Sequence, residues 1–215
     1  MTSKLDASHK NYADAKAAID TSLKTLGLDQ IDLMLIHSPQ PWEDFAGETR
    51  FFEGNLEAWR ALGEAYNAGK LRAIGISNFE KQDLDNLLDN VSVKPMIHQL
   101  LAHISNTPFD LIVYTKSKGL LAEAHSPVAH GKILDNKKIV EMAVRYDVSV
   151  PQLCIRYCLE LDLRPLPKTA NPEHMRTNAA DDFEISAADM ETLKNIERIK
   201  DYGDPSMFPV YGGKM

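Results

Sequence analysis

Ala73-Ile74-Gly75-Ile76-Ser77-Asn78-Phe79 is a β-branched apolar run that ends abruptly in two small polar residues and an aromatic. It predicts a buried parallel strand that delivers Ser77 and Asn78 to its carboxyl end. Upstream, residues 55–69 carry Leu56, Trp59, Leu62, Ala65 and Tyr66 at the i, i+3, i+4 spacing of a helix with one buried face, and Gly69 stops that helix. Helix, glycine stop, strand and polar strand end make one α/β unit. In such folds ligands sit beyond the carboxyl ends of the strands.

The rest of the chain reads as repeats of this unit. Residues 2–5 predict a strand end, 12–26 a helix closed by Gly27, and 31–36 a second strand ending in His37-Ser38-Pro39. A long loop with Trp42, Phe45, Phe51 and Phe52 precedes the helix and strand already described. Then follow a helix marked by Leu84, Leu87 and Leu88, a strand at 95–100 with Gln99 near its end, a helix at 108–117 and a strand at 119–124 leading to His125-Ser126-Pro127. Helices at 137–145 and 150–161, a last strand at 164–166 and a helix capped by Ser186 complete the pattern. Regular strand-helix alternation with short connections implies a parallel α/β sheet. No Gly-x-Gly-x-x-Gly turn follows any of the strands, which disfavours a dinucleotide-binding open sheet and leaves a barrel.

A chain of 215 residues, 44% hydrophobic and 26% charged, can bury a full core. The formal charge of −7 and the scattered Lys and Arg argue against nucleic acid as a partner. No apolar stretch approaches the roughly 20 residues of a membrane span, and the first residues carry no signal-peptide core, so no membrane association and a cytoplasmic location are expected. Cys154 and Cys158, four apart on one predicted helix, read as small buried hydrophobes, because no further ligand stands at metal-site spacing. No metal site is expected. His37, His98, His103 and His125 likewise lack the paired carboxylates of a metal-dependent hydrolase.

Four ordered stretches resemble the aldo-keto reductase family. Residues 62–79, with Gly69-Lys70 and Ile74-Gly75-Ile76-Ser77-Asn78-Phe79, look like its central signature, and Leu166-Pro167-Lys168-Thr169 through Asn178 resembles its nucleotide signature. Thr2-Ser3-Lys4-Leu5 and Asp32-Leu33-Met34-Leu35-Ile36-His37-Ser38-Pro39 match two further strand ends. The resemblance is to the bacterial branch similar to 2,5-diketo-D-gluconate reductase. It implies a (β/α)8 TIM-barrel fold and NAD(P)H-dependent reduction of small aldehydes and ketones to alcohols. Lys4 matches the catalytic lysine and His37 the histidine that orients the carbonyl. Ser77, Asn78 and Gln99 match the residues that hold the nicotinamide carboxamide, and their mixed donors and acceptors suit an amide. His125 stands where an aromatic, commonly tyrosine, stacks on the nicotinamide just before Ser126. Lys168 and Thr169 match the contacts to the adenosine 2′-phosphate, and Asn178 matches the adenine contact. His174 replaces the usual arginine, a titrating group in place of a fixed planar cation. NADPH is therefore the expected cofactor, with NADH as the alternative.

The family's tyrosine acid and supporting aspartate lie on the strand before the lysine, and only three residues precede Lys4 here. The chain is thus expected to form one incomplete barrel domain over residues 1–215, amino-terminally truncated, with about six of eight strand-helix units and a tail at 201–215. Its open edges, at residues 2–5 and 164–166, are expected to promote self-association. Three functions remain distinguishable at this point: a carbonyl reductase, a noncatalytic NADP-binding remnant, and a structural or interaction protein that retains the fold.

Overall fold

The computed structural model describes residues 1–45 and 47–211, and these divide into two compact units: residues 1–99 with Val113–Leu121, and Leu100–Ile112 with residues 122–211. In the first unit, β1 (Thr2–Leu5), α1 (Tyr12–Leu26), β2 (Ile31–Ile36), α2 (Phe52–Asn67), β3 (Leu71–Ser77), α3 (Lys81–Asn90) and the start of β4 (Ile97–Leu101) alternate as expected. The strands are parallel and lie side by side in chain order.

Local chemistry sets the element ends. Asn11 caps α1 by accepting from the Asp14 N–H, and Gly27 ends it in the left-handed region at φ 64°. Glu80 and Asp83 form a reciprocal capping box on α3. The apolar face of α2 packs Trp59, Leu62 and Ala65 into a core with Ile19 and Leu23 of α1 and with Leu5, Met34, Ile36, Ile74 and Ile76 of the strands. The Trp59 indole donates to the Val93 carbonyl at 2.8 Å.

Alternation along the strands sorts two faces. Leu5, Met34, Ile36, Ile74 and Ile76 face the helices. Lys4, Leu35 and Gly75 are register partners on the opposite face, and Ile97 follows in the same row.

In the second unit, β5 (Leu121–His125) pairs in parallel with β6 (Arg164–Leu166), and the Ala102 N–H donates to the His125 carbonyl at 3.4 Å. Around them stand α5 (Lys137–Arg145), α6 (Val150–Glu160), α7 (Pro172–Asn178) and α8 (Ala187–Lys194). Their core holds Tyr157, Cys154, Cys158, Leu153 and Leu163 together with Tyr202 from beyond α8. Both cysteines are free, and burial raises both thiols, so they behave as small hydrophobes. Among the described residues no helix is long and apolar enough to cross a membrane, and no group of three potential metal ligands occurs.

Beyond one-residue shifts at element ends, three starts and one helix differ from the sequence reading. Helix α2 starts at Phe52, not at residue 55, so the aromatic loop is shorter. Strands β4 and β5 each begin two residues later than expected, at Ile97 and Leu121. Helix α7 is a further element, and Asn171-Pro172 gives its start: Asn171 accepts from the Glu173 N–H and Pro172 is the first helical residue.

Gly75 is the tightest point of the first sheet. A Cβ there would stand 2.5 Å from the Ile97 carbonyl oxygen and 2.7 Å from Leu35 Cδ2. The backbone oxygen cannot yield without disturbing the β3–β4 ladder, so Gly75→Ala is expected to cost about 1–3 kcal/mol by overpacking. Urea unfolding of the variant checks this, and a loss below about 0.5 kcal/mol would show that the ladder relaxes freely.

Candidate active site

The first unit assembles Lys4, His37, Ser77, Asn78 and Gln99 at the carboxyl ends of four neighbouring strands. Ile36 pairs with Ile76, and Ser77 with Gln99, so His37, Ser77 and Gln99 fall in one rank, two residues beyond the row of Lys4, Leu35, Gly75 and Ile97. Period two puts both rows on the same face, away from the helices.

His37 is half-buried, its backbone N–H donates to the Leu5 carbonyl at 3.1 Å, and its ring meets Trp42 edge-on at 5.0 Å. Burial, and then the Lys4 cation, push its pKa down to about 4, with Asp6 opposing. It is therefore a neutral imidazole near pH 7. Asn78 sits in the left-handed region at φ 59°, its N–H donating to the Gln99 carbonyl and its Nδ2 to the His37 carbonyl, each at 3.0 Å. A non-glycine residue held there is locally strained, and such strain gathers at functional sites. Ser77 Oγ is fully buried and has no hydrogen-bond partner among the described residues. A buried hydroxyl without a partner is uncommon and marks this strand end for explanation.

Sequence reading missed what braces this rank. The Lys10 ammonium donates to the Ser38 carbonyl at 2.7 Å and to Asn55 Oδ1 at 2.9 Å, while Asn55 Nδ2 donates to the Pro39 carbonyl at 2.9 Å. The backbone directly after His37 is thus tied to α1's lead-in and to α2. Burial pulls the Lys10 pKa down to about 7, against Asp83 and Asp6. A Cβ at Gly54 would stand 2.8 Å from Lys10 Cβ, so the glycine lets α2 close on the lysine.

The second unit carries the remaining residues. His125 ends β5, and Ser126 follows in the left-handed region at φ 55°. Lys168 and Thr169 follow β6, and Thr169 Oγ1 accepts from the Asn171 N–H at 3.1 Å just ahead of α7. His174 and Asn178 lie one turn apart on α7, so they share a face. Arg176 reaches Glu173 at 3.4 Å on the exposed surface. Burial, and then the Lys168 cation nearby, lower the pKa of His130.

A parallel α/β scaffold with polar side chains ranked at strand ends is the layout found in barrel-class enzymes. The model of the family described as "Aldo/keto reductase family" matches residues 2–198. The chain belongs to that family, whose members are oxidoreductases acting on carbonyls. It is 36% identical over 213 residues to a glyoxal reductase of Bacillus subtilis, covering 97% of this chain and 73% of that protein. It is 32% identical over 212 residues to the 2,5-diketo-D-gluconic acid reductase B of a Corynebacterium species, covering 95% and 72%. A Bombyx mori aldo-keto reductase solved in complex with NADP superposes with a TM-score of 0.82 at 27% identity, over 99% of this chain and 72% of that one. The fold is therefore that of the (β/α)8 enzymes, with six strands described in this chain.

The histidines predict a pH response. His37 and His98 have pKa values lowered to about 4 and about 3, whereas the unfolded chain titrates near 6.5. Their contribution to stability is complete above 6.5 and is lost as pH falls through 6.5 towards 4 and then 3. Urea unfolding at pH 7.5, 6 and 4.5 should give falling stability. By NMR, Lys4→Met should raise the His37 pKa only part of the way to 6.5, since burial is the larger cause. A full return to 6.5 would refute that assignment.

Proposed function

We propose that this chain binds NADPH and reduces small aldehydes and ketones. The observation that carries the reading is the single-face rank of His37, Ser77 and Gln99, two residues beyond the row of Lys4, in a chain of this family. The solved Bombyx mori relative holds NADP, and the named relatives reduce glyoxal and a diketo acid. In this reading the nicotinamide supplies the hydride. Ser77, Asn78 and Gln99 hold the carboxamide, the orphaned Ser77 hydroxyl gaining its missing partner, while His125 stacks and Ser126 contacts the cofactor. Neutral His37 donates its N–H to the substrate oxygen. The Lys4 charge stabilises the alkoxide that develops there. Lys168 and Thr169 take the 2′-phosphate, with His174 a weaker third partner and Asn178 at the adenine.

The proton donor is the weak element. His37 is neutral and a poor acid at pH 7. Of the tyrosines in the first unit, Tyr12, Tyr66 and Tyr114 all lie on helices, and the Tyr12 and Tyr114 hydroxyls bond to Glu64 and Asp85. A noncatalytic NADP-binding role is the second reading, and this observation favours it. General acid catalysis is worth roughly 10²–10⁴-fold, so turnover by the 215-residue chain is expected to be slow by about that factor. NADPH oxidation with glyoxal decides: an ordinary enzymatic rate would show that another group supplies the proton, and binding without turnover selects the second reading.

Cofactor preference tests the binding assignment separately. Fluorescence titration should give tighter binding of NADPH than NADH, Lys168→Met should erase the difference, and His174→Arg should widen it. Equal wild-type affinities would remove Lys168 and Thr169 from the 2′-phosphate site.

A further inference from the structure

We propose that Tyr211, from the carboxyl-terminal segment, is a positioning residue of the nucleotide site, bracing the loop that follows β5. The inference deepens the proposed function, since it rests on His125 and Ser126 contacting NADPH.

The loop at residues 126–131 is strained. Ser126, Ala129 and His130 are non-glycine residues at φ 55°, 48° and 52°, and Gly131 follows at 88°. Its internal ties are short-range turns, with the Ala129 N–H on the Ser126 carbonyl and the Gly131 N–H on the Val128 carbonyl, both at 2.8 Å, and one longer side-chain contact of 3.3 Å between Ser126 Oγ and His130 Nε2. Strained backbone persists only where its surroundings over-determine it. Tyr211 supplies the added constraint. Its hydroxyl is hydrogen-bonded to Ser126 Oγ at 2.9 Å and to His130 Nε2 at 2.8 Å, which bridges the two ends of the loop. Its ring meets His130 edge-on at 4.8 Å and His125 edge-on at 6.4 Å.

The segment that delivers Tyr211 is itself anchored. Tyr202 is buried, with its hydroxyl bonded to His103 Nε2 at 3.0 Å and to Asn106 Nδ2 at 3.1 Å, and its ring lies 4.9 Å from that of Tyr211. A Cβ at Gly203 would stand 2.9 Å from Lys132 Cε, so the segment also closes on the far end of the same loop. The brace therefore has a fixed origin, a bridging hydroxyl and a strained target that carries an assigned cofactor contact.

Tyr211→Phe keeps the ring and deletes the bridge. NADPH affinity by fluorescence titration should fall about 5- to 20-fold, the loss of two hydrogen bonds. Affinity for 2′,5′-ADP, which engages Lys168 and Thr169 but not the nicotinamide end, should stay within about twofold. Amide exchange of residues 126–131 in the free protein should accelerate, with thermal unfolding shifted by no more than about 2 °C. Unchanged or tighter NADPH binding overturns the proposal, as does an equal loss for 2′,5′-ADP, which is what general loosening would give. A wild-type chain that binds no NADPH removes the functional reading instead, and unaltered loop exchange would then refute the brace by itself.

Discussion

The parallel register of the first sheet is the constraint on which the arrangement depends. Lys4, Leu35, Gly75 and Ile97 form one row across four strands, and His37, Ser77 and Gln99 form the next row on the same face. A slip of one residue in any strand would turn its polar end towards the helices and its apolar side chains away from them. The helix-facing set from Leu5 to Ile76 forbids that slip through burial, and the contact at Gly75 fixes the spacing at which β2, β3 and β4 approach. Hydrophobic burial thus aligns residues that take no part in the core.

Within that frame, burial tunes chemistry as well as position. His37 and Lys10 both lose proton affinity because their charged forms are poorly solvated, His37 to about 4 and Lys10 to about 7. Lys10 nonetheless keeps its donors occupied on Ser38 and Asn55, so the backbone beyond His37 is tethered in either protonation state. In the second unit, Tyr202 belongs to the core and the segment through Tyr211 packs against it, so the end of the described chain is a structural part of that unit.

Periodicity made the scaffold legible: α1, β2, α5 and β6 have the bounds that apolar spacing and the Gly27 stop imply. Errors fell where local signals conflict. Phe51 and Phe52 read as loop because aromatics were already clustered there, yet Phe52 opens α2. Apolar runs place Pro95 and Gly119 in strands, but β4 and β5 begin at Ile97 and Leu121, because an apolar run extends past the residues that adopt the strand. The proposed roles of the strand-end residues rest on family resemblance, and strand parity shows only which face they share. The Lys10–Asn55 and Ser126–Tyr211 contacts were not legible, because they join positions 45 and 85 residues apart and no spacing rule encodes them.

Register also separates two histidines that composition treats alike. His98 pairs with Ile76, on the helix-facing row, and its Nδ1 lies 2.8 Å from Thr115 Oγ1 on α4 (Phe109–Ser117). His37 stands one position beyond Ile36, and that single step turns it to the opposite face beside Lys4. Both are neutral because both are shielded from water, but the consequences differ. His98 spends its hydrogen bond on fastening a helix to the sheet. His37 faces the strand ends, where in the proposed function a neutral imidazole N–H meets a carbonyl oxygen without the cost of desolvating a cation. The difference between a scaffold histidine and the proposed site histidine is here a matter of strand parity, enforced by the apolar side chains that precede each of them.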